Sequence, residues 1–122
     1  MTDTFKAEDD SEKQPVPLEK GKCVPCQTGG MPLNGEAIEK LLGRLAQGWK
    51  VTEQRCLEKE YKFKNFRLAL DFVNKVGELA ESEGHHPDIY LAWGKVRVKL
   101  WTHKINGLHN NDFILAAKID KL

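Results

Sequence analysis

The chain has 122 residues, of which 40% are hydrophobic and 30% charged, with a formal net charge of +1. That length holds one compact domain with a true core and is too short for two, and the near-neutral charge gives no electrostatic reason to expect a nucleic-acid or membrane-surface partner. Met1 to Lys22 lacks the apolar core of a signal peptide and no run approaches the roughly 18 apolar residues of a membrane span, so a soluble, cytoplasmic protein is expected.

Residues 1–22 carry ten charges and two prolines and almost no large apolar side chains, too little to offset the entropy of ordering them. A disordered or loosely attached arm is expected there, with a single domain over 23–122. Three cysteines in a chain without a secretion signal argue for reduced thiols rather than a disulfide framework. Cys23-x-x-Cys26 is half of a four-ligand zinc site, with Cys56 the only other cysteine, so structural or incidental use is the better reading and no metal is expected.

Asn34 can cap a helix over 35–46 whose Ile38, Leu41, Leu42 and Leu45 form one stripe, with Gly48 as its stop. Trp49 and Val51, then Leu57, Tyr61 and Phe63, alternate with polar residues and predict two antiparallel strands. From the cap candidate Asn65, the positions Phe66, Ala69, Phe72, Val73, Val76, Leu79 and Ala80 recur at helical spacing up to Gly84. Pro87 cannot continue that helix, which leaves His85-His86 at a helix-to-strand corner. A hairpin of strands 88–93 and 96–102 follows. After Gly107, His109 or Asn110 opens a last helix with Phe113, Ile114, Ala117 and Leu122 facing inward. The order α-β-β-α-β-β-α predicts an α+β fold, a four-stranded antiparallel sheet with three helices on one face and the other face open.

Three of the four histidines lie between Glu81 and Lys104. Taking Gly94-Lys95 as the two-residue turn pairs Trp93 with Val96, Leu91 with Val98 and Ile89 with Leu100 on one apolar face. Extended to its open end, the same register sets His86 opposite His103, with Cβ atoms about 5 Å apart. Arg97, Lys99, Trp101 and His103 fall on the open face, where Trp101 calls for a subunit contact or a ligand as cover.

Glu81-Ser82-Glu83-Gly84-His85-His86-Pro87, then Thr102-His103, Gly107-Leu108 and Asp112, together with Gly48-Trp49 and Tyr61-Lys62-Phe63-Lys64-Asn65-Phe66 upstream, resemble the signature of the pterin-4a-carbinolamine dehydratase family over roughly residues 34–120. The resemblance implies the same sheet-and-three-helix fold, a homodimer or homotetramer, and dehydration of 4a-hydroxytetrahydropterin to quinonoid dihydropterin in tetrahydropterin recycling, with no metal or redox cofactor. Such a reaction needs an acid for the departing hydroxyl and a base for the N5 proton, and imidazole, with a pKa of about 6.5, serves as either near neutral pH.

Carried over by motif position, the resemblance implies His85 and His103 as proton donors and His86 as pterin-binding residue and proton acceptor. It also implies Pro87 and the stretch Thr102, His103, Lys104 and Ile105 as lining of the pterin site. Asp112 is expected to orient His103, and Glu81, one helical turn before His85, to orient that ring. Gly84 and His109 depart from the family pattern, and His109 reads as a surface residue, capping the last helix weakly if at all. Without the resemblance, a histidine pair at a turn is more often just exposed and polar, and a carboxylate near a helix end is commonly just solvated. Two other function classes compete. One is a non-catalytic dimerisation, coactivator or assembly-chaperone module on the same fold, which would have no need of three histidines. The other is a metal-dependent hydrolase, disfavoured because adjacent side chains diverge and a fourth ligand is lacking.

Overall fold

The computed structural model describes residues 17–23, 31–53 and 55–122, which form α1 (Gly35–Leu42), β1 (Lys50–Thr52), β2 (Cys56–Lys62), α2 (Phe66–Glu83), β3 (Asp88–Ala92), β4 (Lys95–Leu100) and α3 (Asn110–Ile119). Short 3-10 turns lie at Leu18–Lys20 and His103–Ile105. The strands pair antiparallel in the order β1-β2-β4-β3, so β2 and β3 run parallel with β4 between them and α2 as their connection. This is the expected α+β arrangement. No helix among the described residues is long and apolar enough to cross a membrane.

Period-two alternation decides which sheet face is buried. In β4, Val96, Val98 and Leu100 are buried; with Leu57 and the partly buried Ile89 and Leu91 they meet Ala69 and Val76 of α2 and Phe113, Leu115, Ala116 and Ile119 of α3 in one core. Tyr61, Phe63 and Phe72 close one end, with ring centroids 4.6 and 5.2 Å apart about Phe72. The opposite face is polar: Arg97 pairs with Glu58 at 3.6 Å and lies over Tyr90, and Lys99 pairs with Glu53 at 3.7 Å.

The hairpin register differs from the expected one by two residues. Ile89 pairs with Val98, Leu91 with Val96 and Ala92 with Lys95, which makes Trp93-Gly94 the turn. An even slip keeps every side chain on its expected face except at the tip, where Trp93 leaves the core face and is 67% exposed. Gly94 is required by space, because a Cβ there would stand 2.7 Å from the Phe63 carbonyl oxygen, and Phe63 N–H donates to the Gly94 carbonyl at 2.8 Å. The ladder ends at Asp88–Lys99. His86 and His103 are therefore not a cross-strand pair, and His103 sits in the 3-10 turn.

The helix ends were legible where a cap is present. Asn34 Oδ1 accepts from Ala37 N at 2.8 Å and Asn65 Oδ1 from Leu68 N at 2.9 Å, each cap contributing about 1 kcal/mol. α1 stops at Leu42, short of the expected 46, as Gly43 becomes its C-cap and Arg44 and Leu45 bond three residues back. Phe66, at the first position of α2, is exposed rather than inward.

In α3, Leu115 and Ala116 are buried along with the expected Phe113 and Ala117, whereas Ile114 is only partly buried and Leu122 is exposed. The reason is a second cover. Leu18 packs against the core and Gly21 approaches Ile114, so α3 lies between the sheet and the segment 17–23 and is apolar on most faces. The described part of the expected N-terminal arm is thus packed on α3, while residues 1–16 lie outside the described residues.

Candidate active site

α2 ends in a Schellman turn. Gly84 takes the left-handed conformation (φ 66°), and His85 N–H reaches back to the Ala80 carbonyl at 3.2 Å. This turn sends the two histidines to different environments: the His85 side chain is 13% exposed and the His86 side chain 59%. His85 Nε2 lies 2.6 Å from Asp112 Oδ1. His86 Nε2 lies 2.6 Å from Glu81 Oε2, an exposed pair of the kind worth about 0–1 kcal/mol.

Both carboxylates serve a different histidine from the one expected. Helical spacing points Glu81 at His85, but Gly84 takes the chain off the helix before His85, and the side chain within reach is His86. Asp112 meets His85 and not the expected His103, and its other oxygen is taken up locally: Oδ2 accepts from Thr102 Oγ1 at 2.8 Å and from His109 N at 3.0 Å. Asp112 is fully buried and is half of a capping box, since His109 Nδ1 accepts from Asn111 N at 3.0 Å. His109 is accordingly a half-buried helix cap and not a bare surface residue. One carboxylate joins the end of α2, the end of β4 and the start of α3.

Beyond β4, Thr102 and Gly107 form an isolated bridge that closes the loop carrying His103. The His103 ring stands edge-on to Trp101, with centroids 4.1 Å apart and planes at 65°. Arg55, from the β1–β2 turn, lies 4.8 Å over the Trp101 ring and donates to Asn106 Oδ1, the left-handed residue that ends the turn.

These elements border one cleft of about 730 Å³, lined by Glu81, Gly84, His85, His86, Thr102, His103 and Lys104 among others, within the range of small-molecule sites. Pro87 and Ile105, expected as lining, are not on its wall; Ile105 is buried beneath the 3-10 turn. All three motif histidines border the same space, brought there by the corner and the loop. Among the described residues, no three His, Cys, Asp or Glu side chains are grouped to hold a metal ion; Cys26 lies outside those residues.

The model of the family described as pterin 4 alpha carbinolamine dehydratase matches residues 31–122. The chain belongs to that family. A protein of Alkaliphilus metalliredigens, named as a candidate pterin-4-alpha-carbinolamine dehydratase, is 51% identical over 104 residues, covering 85% of this chain and 94% of the relative. A Methylococcus capsulatus protein of the same name is 54% identical over 102 residues, covering 83% and 89%. Among solved structures, a transcriptional coactivator/pterin dehydratase from Brucella melitensis is 31% identical, with a TM-score of 0.69 over 74% of this chain and 96% of that one.

The match to the dehydratase family begins at residue 31, yet part of the cleft wall comes from upstream, a contribution that spacing and periodicity did not signal. Cys23 lines the cleft with Trp101, Glu83 and Asn111. Its N–H donates to Glu83 Oε1 at 3.0 Å and its thiol to the Asn111 carbonyl at 3.6 Å. Burial first, and the Glu83 charge second, push the Cys23 thiol up to about 12, so it stands in the cleft as a neutral group at physiological pH.

Glu83 also accepts from Lys118 Nζ at 2.8 Å. This bond, aided by the Cys23 N–H, holds its carboxyl below the usual range. A lowered folded-state pKa contributes stability that is complete above the unfolded value, about 4.3, and is lost as pH falls through the folded one. Glu83→Gln should therefore cost about 1–2 kcal/mol at neutral pH and flatten the acid limb as pH falls below the ordinary carboxylate range. Urea titrations across that range check it, and two parallel stability curves would contradict it.

Proposed function

We propose that the chain dehydrates a 4a-hydroxytetrahydropterin to the quinonoid dihydropterin and water, with His85, His86 and His103 as its acid–base groups. The observation that carries this is the convergence of three imidazoles on one cleft, two of them tied to carboxylates, in a chain of the dehydratase family.

In the reaction, the C4a–O bond breaks as the oxygen takes a proton and leaves as water, and the N5 proton passes to a base as the N5 electron pair forms the C4a–N5 double bond. An ionised carboxylate only accepts, so Asp112 accepts a hydrogen bond from His85 Nε2–H and leaves Nδ1 as the nitrogen that exchanges a proton with the ligand. Glu81 does the same for His86, whose free Nδ1 suits the base that removes the N5 proton. His85 or His103, acting as an imidazolium with a proton on the nitrogen that faces the ligand, supplies the one proton to the departing hydroxyl and is left neutral. Thr102 and Lys104 line the pterin from the β4 side. General acid–base contributions of this type are typically 10²–10⁴-fold.

Dehydration of chemically generated 4a-hydroxytetrahydropterin, with and without chelator, tests the assignment. The wild type should exceed the buffer rate in both conditions and His86→Ala should lower kcat about 100-fold. A wild-type rate equal to buffer would sink the enzyme reading and favour the coactivator role that the name of the Brucella melitensis protein carries beside dehydratase. Loss on chelation would favour a metal.

A further inference from the structure

Each cleft histidine needs something to hold its ring, because a general acid a single ångström out of place loses much of its effect. His85 has Asp112 and His86 has Glu81. His103 has no carboxylate: among the described residues no hydrogen bond or ion pair reaches its ring, and the group against it is the Trp101 indole, centroid to centroid 4.1 Å. We propose that Trp101, clamped by Arg55, is the positioning residue for His103; this rests on the assignment of the cleft as the pterin site.

Arg55 acts at two points of the same assembly. Its guanidinium lies 4.8 Å over the Trp101 ring, a cation–π contact, and it donates to Asn106 Oδ1. Asn106 holds a positive φ of 52° and accepts no further helical turn; it ends the one-turn helix His103–Ile105. Arg55 therefore restrains the indole that meets the imidazole and the backbone that carries it. Glu53 steadies Arg55 from behind at 3.4 Å. The β1–β2 turn, remote in sequence from the histidine motif, reaches the site in this way. Trp101 is half-buried, with Arg55 and His103 against its ring.

An aromatic neighbour orients a ring without competing for its protons. The two carboxylate-held histidines each commit one nitrogen to a hydrogen bond, whereas His103 keeps both nitrogens for ligand and solvent. Trp101 thus sets the angle of the ring and occupies neither nitrogen.

Kinetics of single and paired variants test this. Trp101→Ala should lower kcat about 10- to 100-fold with KM little changed, Trp101→Phe should restore most of the loss, and Arg55→Ala should fall between. In a His103→Ala background, Trp101→Ala should cost nothing more, because its effect passes through the missing ring. An equal loss in both backgrounds, or a rise in KM alone, overturns the proposal and makes Trp101 a stacking surface for the ligand. NMR gives a readout independent of turnover. Trp101→Ala should move the imidazole C–H resonances of His103, released from the indole ring current, and leave those of His85 and His86 in place. Unmoved His103 resonances overturn the proposal whatever the kinetics. Moved resonances in a wild-type protein that does not dehydrate the pterin would mean that the substrate assignment has failed and the positioning stands.

Discussion

Asp112→Asn should lower kcat at least about 100-fold while leaving the protein folded. Three donors converge on this fully buried carboxylate, two of them, Thr102 Oγ1 and His109 N, on Oδ2 and one, His85 Nε2, on Oδ1. An amide has only one accepting oxygen. It satisfies most donors by placing that oxygen in the Oδ2 position, which turns the NH2 toward His85. The imidazole must then accept at Nε2, the opposite tautomer, and can no longer carry protons on both nitrogens, so the imidazolium that donates from Nδ1 is lost. The same logic makes an aspartate-to-asparagine change costly in serine protease triads, where it fixes the wrong histidine tautomer. Kinetics paired with 15N NMR of the His85 ring check it. A retained kcat with an unchanged tautomer would show that Asp112 serves the fold alone. Asp112→Ala removes all three acceptor contacts and should cost about 3–5 kcal/mol in denaturant titrations, since buried donors are left unpaired at the junction of α2, β4 and α3.

Asp120→Ala should cost about 3 kcal/mol of stability with kcat unchanged. This residue sits at the other end of α3, where its carboxylate accepts from Trp49 Nε1 at 2.7 Å, Tyr61 OH at 2.7 Å and Lys59 Nζ at 2.8 Å. Lys59 and Asp120 side chains are 13% and 9% exposed, so removing the anion strands a cation with little water around it. Burial, followed by the bond to Asp120, pushes the Tyr61 phenol up, and the hydroxyl remains a donor across the working pH range. Urea unfolding and turnover of the same preparation separate the two ends of α3. A loss of kcat in folded Asp120→Ala protein would mean that the helix transmits strain from one end to the other.

Much of the fold was legible because faces and caps have local causes. Asn34 and Asn65 announce helix starts through their own side chains, Gly84 announces the end of α2, and alternation in Lys95–Leu100 marks the buried face without any knowledge of its partner. Partnerships were less legible. Helical spacing pointed Glu81 at His85, but the left-handed residue between them breaks that spacing, and only three-dimensional placement shows His86 within reach. Asp112 and His103 are close in sequence, yet the 3-10 turn carries His103 to Trp101 instead. The burial of α3 on most faces was hidden because most of its second cover, Leu18 to Cys23, belongs to the charge-rich stretch that reads as an arm. The histidine trio itself was found by motif, with the loop and the corner bringing the rings to one cleft where strand pairing had been expected.

The two-residue difference in hairpin register bears on how the chain folds. Pairing Leu91 with Val98 or with Val96 buries the same faces, so an isolated β3–β4 hairpin has two pairings that hydrophobicity alone barely separates. What favours the observed one lies just past the end of β2: the Phe63 backbone packs against Gly94 and bonds to its carbonyl with Trp93-Gly94 as the turn. The hairpin is thus proofread by a segment placed before α2 in the chain. The contact that fixes its alignment is therefore long-range in sequence, joining Phe63 to Gly94 across the whole of α2.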